Sequence, residues 1–284
     1  MPAGDQPVRA GLSIARRSLP WLAVLGSAQL VLWVTVAGLS TRFSPGSAFA
    51  KRPLLPVIGL LAVAFVLYLI SLALVWNLPC NQDQARIAAR TVLFFAVLFR
   101  LPLWWSPAIQ EDDYYRYLWD GRVMLAGVNP YRYSPAQVKA ARDGGSTFPE
   151  LERLANLSRC SPEIAEIFSR IDHRSVPTLY PPLSEAVFAI AALVTPEHAP
   201  VLAQARVLKA VLLLFDLATV GLVMGLLGNL GQPAGRALAY AWCPLVLKEF
   251  ANTGHVDSIA VCLTTAMFWQ LTRPRVRDGL EAST

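Results

Sequence analysis

Charge is scarce in this sequence. Asp, Glu, Lys and Arg make up 15% of its 284 residues, while 55% are hydrophobic. A chain so poor in charge would leave large apolar patches against water, which excludes an ordinary soluble globular domain. Cysteine is as sparse. Cys80, Cys160, Cys243 and Cys262 show no C-x-x-C spacing, so neither a disulfide framework nor a thiolate metal cage is implied. Two of them, Cys243 and Cys262, fall in apolar runs, where cysteine packs as a small hydrophobe. Apolar alternation at period two is missing too, which argues against a transmembrane barrel. No internal repeat or low-complexity tract is present.

Long apolar runs are what the chain does have. Pro20 to Leu39, Leu54 to Trp76, Ala88 to Trp105 and Val207 to Leu230 approach or exceed the ~20 residues a helix needs to cross hydrocarbon. The first run follows Arg9, Arg16 and Arg17, like a secretion leader, but it is longer than a leader's core and reads as a retained helix. The formal charge of +6 sits largely beside these runs, as at cytoplasmic helix ends, so it points to a membrane and not to nucleic acid.

Three crossings from a basic start place Ser106 to Leu179 outside. That loop holds 10 acidic and 9 basic residues, against 9 acidic and 16 basic in the remainder, the asymmetry expected of an extracytoplasmic loop. The next apolar stretch, Leu183 to Val194, is only 12 residues long, short for a crossing. Read as re-entrant, it keeps Arg236, Arg273, Arg275 and Arg277 inside and puts Arg206 and Asn252 to Asp257 on the outer side; a full crossing is the alternative. Two closing helices follow, about Arg236 to Phe250 and Val256 to Leu271. The expectation is an all-α polytopic membrane bundle of about six or seven segments, a single domain over residues 1–284 with an outer loop at 106–179.

Within that loop, "EDDYYRYLWDGRVMLAGVNPYRY" starts on three consecutive acids, Glu111, Asp112 and Asp113. Tyr114, Tyr117, Leu118, Met124, Leu125 and Val128 recur at helical spacing, with Arg116, Asp120 and Arg122 away from the stripe. This predicts a helix lying on the membrane surface, ended by Gly127 and Asn129-Pro130. One Asp at its start can cap free N–H groups and a second can favour the dipole. A further adjacent carboxylate adds repulsion that raises a pKa, a mark of acid–base chemistry beside a cleft. Asp120 is accounted for by pairing with Arg116 at i+4. Asp216, mid-helix in apolar surroundings, demands a partner or a pathway, and Arg100 is a candidate partner.

The acid pair, the aromatic helix and "GVNPYRY", followed by "YPPLSEAVF", "RVLKAVLLLFDLA" and "CPLVLKEFANTGHVD", resemble the GT-C superfamily of integral-membrane glycosyltransferases, in particular bacterial polyprenyl-phosphate-mannose-dependent mannosyltransferases. The resemblance covers about Trp104 to Leu271. It implies transfer of a mannose-like sugar from a polyprenyl-phosphate donor to a lipid or glycan acceptor at the outer face of a bacterial plasma membrane, with inversion. Relatives often carry Asp-x-Asp where this chain has Glu111-Asp112-Asp113; the distance to Asp120 aligns Asp112 with the first Asp, and the departure leaves the part of Asp113 open.

The roles implied are Asp112 as catalytic base, with Asp113 beside it, and Arg206 and Tyr180 at the donor phosphate. Glu111, Asn252, His255 and Asp257 become candidate acceptor or donor contacts. For each there is a plainer reading: Arg206 as a membrane-end anchor, Tyr180 as an interfacial tyrosine before Pro181-Pro182, His255 as a turn residue. No cofactor is required; adjacent carboxylates can hold a divalent cation, but no further ligand set is legible. The rival functions are a non-catalytic membrane partner that binds a lipid carrier, since relatives are usually longer, and a short transporter-like protein.

Overall fold

The computed structural model describes residues 6–43, 52–78 and 82–273, with side chains from Leu19 onward. The side chains of Arg9, Arg16 and Arg17, and Cys80, Arg275 and Arg277 altogether, lie outside the described residues. Among the described residues there are helices and no strand. Four are long and apolar enough to cross a membrane: α1 (Gln6–Ser40, its apolar part from Leu19), α2 (Leu54–Trp76), α3 (Gln82–Trp105) and α9 (Val201–Asn229). They expose Val31, Val34, Leu55, Leu69, Phe94 and Leu214, a surface suited to lipid.

Between them lies a core of Leu22, Trp33, Val92, Phe95, Phe99 and Trp242. Helices α1 and α3 approach closely at Gly26, where a Cβ would stand 2.6 Å from the Phe95 ring. The intramembrane acid finds its partner: Arg100 Nε lies 2.5 Å from Asp216 Oδ2 and its Nη2 3.1 Å from Oδ1. Arg100 Nη1 donates to the carbonyls of Ala96 and Ala241, and Tyr240 donates its hydroxyl to Asp216. With both charges hydrogen-bonded, the pair locks α3 to α9 and to the segment around Ala241.

The helix expected over Arg236 to Phe250 is broken. A 3₁₀ turn (Ala234–Ala237) runs into α10 (Leu238–Ala241), the chain bends at Trp242 and Cys243, and α11 (Pro244–Val246) passes into a π-helical stretch (Leu247–Thr253). Pro244 is the cause: it has no N–H to give and its ring clashes with the preceding turn. Gly254, in the left-handed region at φ 73°, ends the π-helix, and α12 (Asp257–Leu271) then packs along α9.

A second layer comprises α4 (Asp113–Leu125), α5 (Pro135–Gly144), α6 (Pro149–Leu157), α7 (Pro162–Ser169) and α8 (Pro182–Leu193). Proline opens each of α5 to α8, where its missing N–H costs nothing. The expected surface helix is instead enclosed: every residue of α4 from Tyr115 to Val123 is buried. Its polar side is covered, not solvated. Arg116 and Asp120 form the expected i+4 pair at 2.8 Å, but inside the protein, and Arg122 donates to the Thr195 carbonyl. Helix α8 lies so close that a Cβ on Gly121 would stand 2.4 Å from the Phe188 carbonyl oxygen.

Candidate active site

Helix α3 ends at Trp105, and a short link delivers the chain to α4. Two buried side chains shape that link. Lys209 of α9 donates to the carbonyls of Leu103 (2.9 Å) and Ser106 (2.8 Å), satisfying the free end of α3 with a cation. Asn252 accepts from Ile109 N (2.9 Å) and donates to Ser106 Oγ (2.9 Å) and the Pro107 carbonyl (3.0 Å). Gln110 then takes a left-handed conformation, φ 54°, immediately before the acids.

The helix start differs from expectation in which acid caps it. Asp112 stands at the N-cap position without a side-chain cap bond. Glu111 supplies the acceptor: its Oε1 accepts from Asp112 N (3.1 Å) and Asp113 N (3.2 Å). Its Oε2 lies 3.1 Å from His255 Nε2, which is also 3.3 Å from Glu249 Oε2. Asp257, well exposed, stands 3.8 Å from His255 Nδ1.

These contacts separate the three acids electrostatically. The His255 hydrogen bond, helped by the two backbone N–H groups and opposed by burial, holds Glu111 down to about 2. Burial, then the charge and hydrogen bond of Asp172, then Glu111 and Asp113, push Asp112 up to about 6. Burial and Glu111 also raise Asp113, against the pull of His255. The hydrogen bond to Glu111 raises His255 above the usual imidazole range in spite of burial. Their surroundings therefore favour the charged form of Glu111 and the protonated form of Asp112.

Asp112 opens onto a cavity of about 620 Å³ walled by Pro107, Tyr114, Tyr115, Arg170, Val201 and Leu202. Arg170 is held there by Glu166 (2.9 Å) and the Tyr115 hydroxyl (3.0 Å). A second cavity of about 440 Å³ is an apolar groove between α3 and α9, lined by Trp104, Trp105, Arg206, Val207 and Leu214. Arg206 lies inside α9, not ahead of it. Its guanidinium stacks 3.9 Å from the Trp105 ring centre, and its Nε donates to the Trp105 carbonyl (2.8 Å). Asp112 and Arg206 do not share one cavity. They border different ones with no lining residue in common: Val201 and Leu202 of α9 line the first, Ala203 and Arg206 the second.

The other expected residues divide. His255 and Asn252 converge on the acid motif from 144 and 143 residues away in sequence. Tyr180 borders neither of these cavities; its ring packs edge-on against Tyr117 at 5.0 Å and against Phe188. Asp172, Glu249, Lys209 and Arg170 escaped sequence reasoning. Lys209, a lysine in an apolar run, carried a signal; for the others, nothing but three-dimensional proximity reveals them. As for a metal, Glu111, Asp112 and Asp113 can each bring a carboxylate oxygen within 4.8 Å of the others. Glu111 spends its oxygens on backbone N–H groups and His255, which leaves Asp112 and Asp113 for a divalent ion.

Two cavities and a charge-separated acid motif thus accompany four helices long and apolar enough to cross a membrane. No curated protein and no solved structure matches the chain. Residues 20–282, however, match the family described as alpha-(1->6)-mannopyranosyltransferase, N-terminal domain. The chain belongs to this family, a mannosyltransferase family of the GT-C type.

Proposed function

We propose that the chain transfers a mannose-like sugar from a polyprenyl-phosphate donor to an acceptor hydroxyl of a lipid or glycan, with inversion at the anomeric carbon. What supports this reading is Asp112, its proton affinity raised by burial and by neighbouring acids, lining one cavity, and Arg206 lining a separate apolar groove on the same helix α9 that borders that cavity. A sugar hydroxyl is a poor nucleophile until a carboxylate takes its proton. As Asp112 accepts that proton, the hydroxyl oxygen bonds to the anomeric carbon and the bond from that carbon to the phosphate oxygen breaks. The electron pair leaves with the polyprenyl phosphate, whose growing charge Arg206 stabilises through its fork of donors. The isoprenoid chain lies along Val207 and Leu214, and transfer requires the sugar to pass from that groove to the cavity that Asp112 lines. Asp113 stands next to the base, and Tyr180 packs against Tyr117 and Phe188, away from both cavity linings.

The same reading treats residues 1–284 as one domain in a bacterial plasma membrane, with 106–179 on the outer face. Helix α8 is re-entrant, and six or seven segments, about that number, enter the membrane. No step calls for a metal. The test is purified protein with radiolabelled polyprenyl-phosphate mannose and a panel of acceptors. Transfer supports the enzyme; donor binding without transfer to any acceptor favours a carrier-binding partner instead. Transport has less support, because Asp216 is fully engaged by Arg100 and Tyr240.

Two expectations follow for kinetics. Arg206→Ala removes the groove's cation, and the efficiency kcat/KM for the donor should fall about 100-fold, the scale of losing a charge-assisted contact made in the transition state. An unchanged donor efficiency would return Arg206 to the role of a membrane anchor. The second concerns pH. A base must be ionised to work, and Asp112 is raised to about 6, so kcat should climb as pH rises through about 6 and level off above it. A pH–rate profile whose acid limb lies near the ordinary aspartate value of about 4 would contradict this.

A further inference from the structure

We propose that the segment Leu247–Asp257 sets the geometry of the acid motif, with His255 and Asn252 as positioning residues and not substrate contacts; this rests on Asp112 being the base. Asn252 is fully buried and commits its whole amide to the link: its oxygen to Ile109 N, its nitrogen to Ser106 Oγ and the Pro107 carbonyl. Both N–H groups are used, and full burial keeps a substrate hydroxyl from the one lone pair left on the oxygen. His255 stands with Nε2 between Glu111 Oε2 (3.1 Å) and Glu249 Oε2 (3.3 Å). Glu111 passes that hold on, because its other oxygen accepts from the backbone N–H groups of Asp112 and Asp113. His255 is thus one residue removed from the base, joined through a carboxylate that reaches both.

The far end of the device is itself fixed. Glu249 accepts from Lys248 Nζ (3.0 Å) on its side chain, and its carbonyl accepts from His255 N (3.0 Å) and Thr253 Oγ1 (2.5 Å). Gly254 allows the turn between them: its φ is 73°, and a Cβ there would stand 2.8 Å from Lys209 Cγ. Lys209 in turn holds the Ser106 carbonyl, so the link is gripped from α9 as well. Such grip has a purpose. Gln110 sits at φ 54°, a conformation that a non-glycine residue leaves when nothing holds it. A π-helical stretch, common at functional sites, presents the whole arrangement. The groups facing His255 are Glu111 from the link, Glu249 from the π-helix, Asp257 from α12 and Asp113 from α4.

The test combines kinetics with amide hydrogen exchange on the full chain. His255→Ala should lower kcat about 100-fold, the cost of a misplacement near 1 Å, while KM for donor and acceptor stays within about two-fold. His255→Gln, which keeps a donor toward Glu111, should recover at least about ten-fold of that loss. The double variant Glu111→Gln/His255→Ala should be no slower than the slower single variant, since the two act as one unit. Independently of any transfer, amides in peptides covering residues 111–115 should exchange about ten-fold faster in His255→Ala. Should that variant fail to fold, His255→Gln and Glu249→Gln are measured in its place, with smaller changes in the same direction.

A raised KM at unchanged kcat, additive losses in the double variant, or unaltered exchange at 111–115 would each overturn the proposal. A parent chain that moves no sugar but shows the faster exchange on substitution keeps the positioning device and removes only the transferase reading.

Discussion

Replacing Asp112 with Asn lowers sugar transfer by at least about 100-fold, the usual scale for removing a general base. The substitution is unusually clean here. Asp112 makes no side-chain cap bond, because Glu111 satisfies the first N–H groups of α4. The cap of α4 is therefore kept, and the contact that changes is the one with Asp172. Asp172, Glu111 and Asp113 all press on Asp112 to give that charge up, so the neutral amide relieves repulsion and the thermal midpoint should hold or rise slightly. Initial rates with labelled donor and a melting scan of the same preparation check both halves. If the Asn variant kept half the parent rate, Asp112 would leave the mechanism. Glu111→Gln makes the contrasting case: it should weaken the helix start as well as the rate, since Glu111 is tied to backbone and to His255.

The second large effect lies in the membrane. Arg100→Met should destabilise the fold by about 3–5 kcal/mol, because it strands the Asp216 carboxylate without its counter-charge in surroundings that cannot solvate it. Both side chains are almost fully buried, at 2% and 0% exposure. The double variant Arg100→Met/Asp216→Leu should recover most of the loss, since removing both charges removes the desolvation penalty along with the attraction. Thermal unfolding in detergent, followed by the monodisperse fraction, distinguishes the outcomes. A single variant as stable as the parent would mean that the existing Tyr240 hydrogen bond is enough to hold Asp216 without Arg100.

How much of this could be read along the chain depends on the range of the interaction. Helix α2 was legible to the residue, Leu54–Trp76, because membrane length and unbroken apolarity set its ends. So was the Arg116–Asp120 pair, a local i+4 contact, and the left-handed Gly127, at φ 73°, after α4. Pro244 could have announced the break in the closing helix, yet the apolar run around it read as continuous. The enclosure of α4 could not be foreseen, because it is imposed by α7, α8 and α9 and not by its own periodicity. Adjacent like charges and residue type singled out the acids and His255, and family resemblance added the parts of Asp112 and Arg206. It said nothing of Glu111 acting as the cap, of His255 gripping it, or of Arg206 facing a groove of its own.

Length also separates α9 from its neighbours. Its 29 residues extend about 43 Å at 1.5 Å per residue, against a hydrocarbon thickness of about 30 Å. The surplus corresponds to roughly eight residues, more than the distance from Val201 to Arg206. A helix with that reserve can tilt or shift as leaflets thicken or thin and still span the hydrocarbon. Sorting among membranes of different thickness would then leave its apolar stretch covered.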